Sequence, residues 1–327
     1  ALGCMPSSVP DMNTREEALI RARKEAEFMA RHNIRALFIG DDDYPWGLMD
    51  MSNSPLLLYQ LGEADVNSEH SLGVVGTRRP TVYGIEHTRK LISDMAGYFP
   101  DVTIVSGLAF GIDVAAHLAA LEAERPTIAV VAHGLHMIYP AAHRDIAGRI
   151  VRQGGAILSE YPSGSTPFRN RFLERNRIVA CICKALFVAE SDIRGGAMST
   201  AHDAFSWGRD VFALPGRAGD TNSRGTNHLI RRHKAELVTC AADIIESLGW
   251  EPAGVKVDAR QRCLFPELEG DNKRIYDILR IQAEPMSLDI LHAQTRLPVA
   301  ELMAALSEME FDGIVARLPG NRFTVIG

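Results

Sequence analysis

No stretch of the 327-residue chain approaches the ~20 unbroken apolar residues that a membrane-spanning helix requires. The first residues, Ala1 to Pro10, have neither a positively charged start nor a long apolar core, so they do not read as a secretory signal. They also lack an initiator Met, and residues upstream of Ala1 are expected. Cysteine is sparse: Cys4, Cys181, Cys183, Cys240 and Cys263 make no CxxC pair and no disulfide framework, which points to a reduced, cytoplasmic setting. Hydrophobic residues at 46% and charged residues at 23% exclude a disordered tail and a fibrous repeat. At about 150 residues per domain, the length fits two domains or three.

Net basicity is missing too, since the chain carries a formal charge of -6. The average hides a split: residues 1–70 carry -6, residues 71–249 carry +3, and residues 250–327 carry -3. A polyanion partner would therefore meet the middle segment, because association follows the local field.

That middle segment alternates short apolar runs with helical patterns. The runs are Leu72–Val75, Val102–Val105, Thr127–Val131, Ala156–Leu158, Ala185–Val188 and Val211–Leu214, with helices expected near 84–98, 112–124, 142–153, 172–183, 197–208 and 226–234. Strands that are apolar throughout and separated by helices imply a parallel sheet covered on both faces, a doubly wound α/β domain. Ahead of it, residues 14–32 read as a charged amphipathic helix opened by Thr14 with Glu17 three residues on, and Ala36–Ile39 as a strand. Four segments are expected: an N-terminal helical segment (1–34), the sheet domain (35–250), a linker (251–270) and a C-terminal module (271–327). In the last, helices over 272–281, 287–295 and 298–311 precede strands around Ile314–Arg317 and Arg322–Val325 joined by a Pro-Gly-Asn turn at 319–321, the pattern of a winged helix.

Ligands of open α/β sheets sit at the carboxyl ends of strands, beside helix N-termini. The turn after Leu72–Val75 supplies Gly76, Thr77, Arg78 and Arg79, in neither the GxGxxG nor the Walker spacing. Either a phosphate-binding turn or a structural turn with solvated arginines fits it. The next turn supplies Ser106 and Gly107, with Gly111 and Asp113 at a helix start. No GxSxG elbow surrounds Ser106, so anion contact is the functional reading and helix capping the plain one for Asp113. His133, His136 and His143 straddle a strand end and a Tyr-Pro turn without nearby Cys, and read as loop histidines rather than metal ligands. The strongest charge signal is RNRFLERNR over 169–177, four arginines against one glutamate around Phe172. That composition tracks a phosphate backbone and stacks bases. Gly195 and Gly196 open a further helix carrying Ser199 and Thr200, and Arg217 and Arg224 stand in the last strand-end turn. No carboxylate pair, no nucleophile beside a base and no metal spacing occurs in these loops, so the site reads as one that holds a polyanion and breaks no bond.

In order along the chain, VVGTRRPTVYG (74–84), VSGLAFGIDVAAH (105–117), the Gly134–Pro140 stretch, LSEYPSGSTP (158–167), FLERNRIVA (172–180), GGAMSTAHDAFSWGRDVFALPG (195–216) and GTNHLI (225–230) resemble the DNA-processing protein A family, also called Smf. DDDYPWGL and SPLLLYQLGE upstream are similar to it as well, giving coverage from about residue 35 to 250. The resemblance implies an extended Rossmann-like fold that binds and protects single-stranded DNA and loads the recombinase RecA onto it in natural transformation. It also implies a homodimer, with no cofactor, no metal and no enzymatic activity. Carried over by motif, the DNA-contact residues are Gly76, Thr77, Arg78, Ser106, Gly107, Arg169, Phe172, Arg175, Asn176, Arg177, Gly195, Gly196 and Ser199. The sequence departs from the family pattern at His136 (usually Asp), at Gly195 (usually Ser) and at His233–Lys234 (usually Gly).

The segment VAELMAALSEMEF (299–311), placed as the recognition helix of the winged module, has three glutamates and no base. A helix entering the major groove needs donors, so Leu302, Ala305, Leu306 and Met309 read as core and the module as one for interaction or regulation. Two other functions compete. A nucleotide-binding hydrolase of the lysine-decarboxylase-like phosphoribohydrolase group would need PGGxGT-x-x-E, where this chain has RGGAMSTAHD with Asp203 as the sole stand-in acid. A transcription regulator would need a basic recognition helix.

Overall fold

The computed structural model describes residues 12–49, 51–251, 268, 270–281, 285–311, 314–318 and 322–325. The chain divides into two compact units, Ala1–Gly254 and Val255–Gly327. The linker expected over 251–270 falls almost wholly outside the described residues, as does the Pro-Gly-Asn turn at 319–321.

The first unit runs α1 (Met12–His32), β1 (Ile34–Phe38), α2 (Trp46–Met49), β2 (Leu57–Gly62), β3 (Ser71–Val75), α3 (Val82–Tyr98), β4 (Thr103–Ser106), α4 (Ile112–Glu122), β5 (Thr127–Val131), α5 (Arg144–Arg152), β6 (Ala156–Ser159), α6 (Arg169–Ile182), β7 (Ala185–Val188), α7 (Gly196–Ser206), β8 (Asp210–Ala213), α8 (Arg224–Arg231), β9 (Glu236–Leu237) and α9 (Ala241–Leu248). Helix α1 is already under way at Met12, so Thr14 lies inside it and does not cap it.

Among the described residues the nine strands form one sheet in the order β1-β2-β6-β5-β4-β3-β7-β8-β9. All pairings from β6 to β9 are parallel. The six apolar runs thus pair parallel as expected, and the sheet departs from parallel only at β1 and β2, which lie outside those runs. Strand β2 pairs antiparallel with β6 (Gln60 opposite Leu158), and β1 antiparallel with β2. Every residue of β3, β4, β5, β6 and β7 is buried, which is why these strands are apolar without alternation. One face packs Leu48, Ile178 and Ala201 of α2, α6 and α7 against Leu186 and Val188. The other packs Ile92, Ala116 and Ile244 of α3, α4 and α9 against Val74, Phe187 and Phe212. At about 25 cal/mol per Å² of apolar surface buried, these two layers supply the main drive to fold. Among the described residues no helix is long and apolar enough to cross a membrane.

The strand order reverses beside β3. From there the chain builds β4, β5 and β6 outward on one side, then returns to lay β7, β8 and β9 on the other. Such a reversal leaves a crevice at the carboxyl ends of the two strands that flank it, here β3 and β7.

The second unit comprises α10 (Gly270–Ile281), β10 (Met286–Ser287), α11 (Leu288–Thr295), α12 (Val299–Phe311), β11 (Val315–Leu318) and β12 (Arg322–Val325). Strand β12 pairs antiparallel with both β10 and β11. The two-residue β10 is too short to leave a periodic signal, and the sequence reading did not contain it. Its second residue, Ser287, caps α11 by accepting from the Ile290 N–H. Leu302, Leu306 and Met309 of α12 are buried with Ile275, Leu291 and Phe323, and Ala305 packs against them. Three helices and a three-stranded sheet around this core make a winged-helix domain.

Candidate nucleic-acid interface

A cavity of about 690 Å³ opens at the β3/β7 crevice. Its walls come from the turns after β3, β4 and β7 and from the first three turns of α6.

Glycine lets these turns crowd together. A Cβ on Gly76 would lie 2.5 Å from Ile112 of α4, and one on Gly111, at φ +82, would lie 2.3 Å from the Thr77 carbonyl. The Thr77 N–H donates to the Glu190 carbonyl (2.7 Å), and the Thr77 carbonyl accepts from the Ile112 N–H (3.2 Å). Residues 76–78 are thereby held between the end of β7 and the start of α4. The buried Glu190 carboxylate then accepts from both the N–H and the hydroxyl of Thr81, the N-cap of α3, at 2.8 and 2.6 Å. Gly107 is equally confined: a Cβ there would meet Nη1 of Arg175 at 2.3 Å and Oδ2 of Asp113 at 2.6 Å.

Arg78, Arg169 and Arg194 stand exposed at the cavity wall, and among the described residues none of them has an ion pair. The Arg78 guanidinium lies 5.5 Å from the centre of the Phe172 ring, and the Tyr139 ring, tilted by 58°, lies 5.9 Å from it. Charge and flat aromatic surface are thus presented together. Gly195 and Gly196 bring the N-terminus of α7 to the same space, where the helix dipole adds positive potential. Asn176 reaches across from α6, its amide donating to the Gly196 carbonyl at 3.5 Å.

The floor is different. Arg175 is only 4% exposed and turns inward. Its Nη1 donates to the carbonyls of Gly107 (2.6 Å) and Val130. Asp113, 7% exposed, faces it from α4 and accepts from the Ala109 N–H at 3.4 Å. Burial pushes the Asp113 carboxyl up, while Arg175, the Ala109 N–H and Arg78 pull it back. A guanidinium stays protonated even when burial lowers its pKa. Arg175 therefore ties the turn after β4 to β5 and sets the shape of the cavity rather than its outer charge.

Of the residues expected from sequence, Gly76, Thr77, Arg78, Gly107, Arg169, Phe172, Arg175, Asn176, Gly195 and Gly196 line the cavity. Three lie elsewhere. The buried Ser106 hydroxyl donates to the Val74 carbonyl at 2.6 Å, within the sheet. Arg177, two residues beyond Arg175 on another face of α6, is paired with Glu160 at 2.5 Å, both largely buried. Ser199 sits in the first turn of α7 outside the lining. The lining also holds residues that the sequence reading had placed otherwise or passed over: Asp113, Tyr139, Ser191, Asp192, Arg194 and Thr200. Arg194 was findable, being an arginine next to a Gly-Gly helix start. Gly111, not Asp113, is the N-cap of α4. At Gly195 a Cβ would lie 2.3 Å from the Ser191 hydroxyl, so the missing side chain and Ser191 occupy the same space in turn.

The three histidines brace loops. His133 accepts from the Tyr139 N–H at 3.1 Å while its Nδ1 bonds the Gly134 carbonyl at 3.0 Å, a neutral tautomer that burial favours by lowering its pKa. His143 bonds the Leu108 carbonyl, and His136 accepts from the Gly164 N–H. Among the described residues no group of three or more potential ligands is placed to hold a metal ion.

A mostly parallel Rossmann-like sheet with a basic, aromatic-rimmed cavity at its switch point, joined to a winged helix, defines the class of protein. The family described as DNA recombination-mediator protein A matches residues 35–249, and the DprA winged helix domain matches residues 265–321. The chain belongs to this DprA/Smf family of DNA-processing proteins. It is 35% identical over 284 residues to Protein Smf of Escherichia coli, covering 85% of this chain and 74% of that one. Its fold is similar to that of DNA processing protein A from Streptococcus pneumoniae, with TM-score 0.62 and 37% identity over 68% of this chain and 77% of that one. It is also similar to DNA processing protein A from Helicobacter pylori, solved for its single-stranded DNA binding mode, with TM-score 0.59 and 30% identity over 67% of this chain and 97% of that one.

Proposed function

We propose that this protein binds single-stranded DNA across the β3/β7 cavity, and that it is a non-enzymatic cytoplasmic mediator of homologous recombination. In this reading it protects incoming strands in natural transformation and delivers them to RecA as a homodimer. The observation that carries the reading is the set of exposed arginines, Arg78, Arg169 and Arg194, that have no ion pair among the described residues and line the cavity with Phe172, whose ring Arg78 overlies. Phosphates replace counterions on such a rim, and a base can stack on the ring. The single-strand binding described for the Helicobacter pylori relative supports the partner. The family's description as a recombination mediator supports the role. The chemistry of the cavity agrees, since its carboxylates are committed: Asp113 beneath Arg175, and Asp192 to Arg224 at 3.1 Å. The phosphoribohydrolase reading is not favoured, because its only stand-in acid, Asp203, does not line the cavity.

The test is the double variant Arg78→Ala/Arg194→Ala in fluorescence anisotropy with a labelled single strand. Affinity is expected to fall at least tenfold at ~0.1 M salt, with the log–log salt slope shallower by about 1.4, or ~0.7 per lost phosphate contact. Parental affinity and slope would overturn the assignment.

A further inference from the structure

Where the sheet turns from parallel to antiparallel, no crossover helix follows β2, and a groove is left open beside α5. Its volume is about 460 Å³, within the ~300–1,000 Å³ of ligand sites, and it shares no lining residue with the β3/β7 cavity. The walls are Leu61 of β2, Leu135, Met137 and Ile138 of the turn after β5, and Val151 of α5, all half-buried. Three large apolar side chains within one connecting turn are unusual, because turns ordinarily face water with polar residues. Met137 adds a side chain that adapts to whatever lies against it.

The rim of the groove is positive. Arg144 and Arg152, the first and last residues of α5, are exposed, and among the described residues neither has an ion pair. A cation at a helix N-terminus opposes the dipole, so Arg144 does nothing for the helix it opens. No carboxylate lines the groove; Asp145, the acid of that first turn, stands outside it. Gly148 lies between the two arginines. A glycine inside a helix weakens it, and a crowding backbone ordinarily explains one. Here the nearest atoms to an added Cβ all belong to the Arg152 guanidinium, the mobile end of a side chain, with Nη1 at 3.2 Å. No fixed neighbour requires the glycine, and its effect is to keep the groove open. The arginines stand about 12 Å apart along the helix at ~1.5 Å per residue, a distance that about four residues of extended chain span at ~3.3 Å each. No phenylalanine, tyrosine or tryptophan lines the groove, so bases find no ring to stack on. Its apolar residues are recessed between arginines, not raised toward a bilayer.

We propose that this groove docks an extended acidic segment of a partner protein, with apolar side chains seated against Leu135, Ile138 and Val151 and carboxylates on Arg144 and Arg152. Charge complementarity selects that occupant, since an apolar recess between two unpaired cations fits a peptide that carries acids on either side of an apolar centre. The full chain is titrated against a labelled peptide of two leucines flanked on each side by two glutamates, followed by anisotropy. Saturable binding that weakens as salt rises is the expected result. Replacing the leucines of the peptide by alanine, or its glutamates by glutamine, weakens it about tenfold. Arg144→Glu/Arg152→Glu weakens the parent peptide by about tenfold or more. His136→Asp, which keeps an acceptor for the Gly164 N–H but puts an acid in the lining, weakens it about threefold. Gly148→Leu fills the groove and lowers peptide affinity about tenfold. Its unfolding midpoint stays at or above the parent's, because leucine favours the helix that glycine weakens, so lost folding does not explain the lost binding. Single-stranded DNA binding stays parental in every variant. The proposal is overturned if the parent shows no saturable binding, or if either Arg144→Glu/Arg152→Glu or Gly148→Leu binds the peptide like the parent. Displacement of the peptide by oligothymidine, together with weaker oligothymidine binding by Arg144→Glu/Arg152→Glu, overturns it as well and makes the groove a nucleic-acid contact.

Discussion

Helix α6 and helix α12 carry opposite charge toward solvent, and each follows from what its own unit must bury. In α6 the first turns lie over the strand ends, where Arg169 and Phe172 face a cavity and Arg175 turns into the floor. In α12 the buried stripe is Leu302, Leu306 and Met309, and the exposed positions include Glu301, Glu308 and Glu310. Glu308 accepts from the Asn272 amide at 3.2 Å. A groove-reading helix needs donors that reach base edges and phosphates, and α12 offers acceptors that phosphates repel. A winged-helix fold does not by itself make a DNA-reading surface. The charge on its faces decides, and in this chain the cations are concentrated on the sheet unit.

The comparison is broken most forcefully at Arg175, the one arginine of the cavity that is buried. Arg175→Met leaves the Gly107 and Val130 carbonyls without their donor and Asp113 without its cation. Stability is expected to fall by about 3–5 kcal/mol, read from denaturant unfolding. The salt slope for strand binding should stay parental in the fraction that remains folded. Retained stability with a slope shallower by ~0.7 would show instead that Arg175 contacts phosphate.

Phe172→Ala tests the aromatic half of the rim. A loss of about 1–3 kcal/mol in strand affinity is expected at unchanged salt slope, because stacking carries no net charge. An unaltered affinity would leave the ring as packing only.

His117 sharpens the account of what lies under the cavity. It is fully buried against the Thr127 hydroxyl at 2.7 Å, and burial, then His143 and Arg175, pushes its pKa down to about 3. The folded protein keeps it neutral, whereas the unfolded chain takes a proton below about 6.5. Its contribution is therefore complete above pH 6.5 and is lost as pH falls from there toward 3, by up to ~1.4 kcal/mol per pH unit. His117→Asn should flatten the stability–pH curve across that window. A curve parallel to the parent's would contradict the neutral, buried state.

The smallest effect belongs to α12. Glu301→Gln/Glu308→Gln is expected to leave single-strand affinity within about twofold, since neither carboxylate offers a donor to phosphate and exposed charges are weakened by screening at 0.1 M salt. A gain above tenfold would place α12 against the strand.

Much of this architecture was legible because buried parallel strands are apolar throughout and each is followed by a helix. Strand β2 was not, since Leu57–Gly62 has no helix after it and no alternation to separate it from a loop run. The site was legible as far as glycines and arginines mark strand-end turns. What the sequence could not resolve was the direction of each side chain. Arg175 and Arg177 look alike in RNRFLERNR, yet one floors the cavity and the other pairs with Glu160 on another face. Ser106 follows a strand like a phosphate ligand, but its hydroxyl closes a bond to Val74 inside the sheet. Tyr139 is far from Phe172 in sequence, and only the fold brings their rings to 5.9 Å.

The most direct test of the central claim is competition between a labelled single strand and its own duplex, followed by anisotropy of the full chain at two salt concentrations. A cavity that receives phosphates and a splayed base predicts preference for the single strand, weakening as salt rises. Equal affinity for both forms, or none for either, would contradict it.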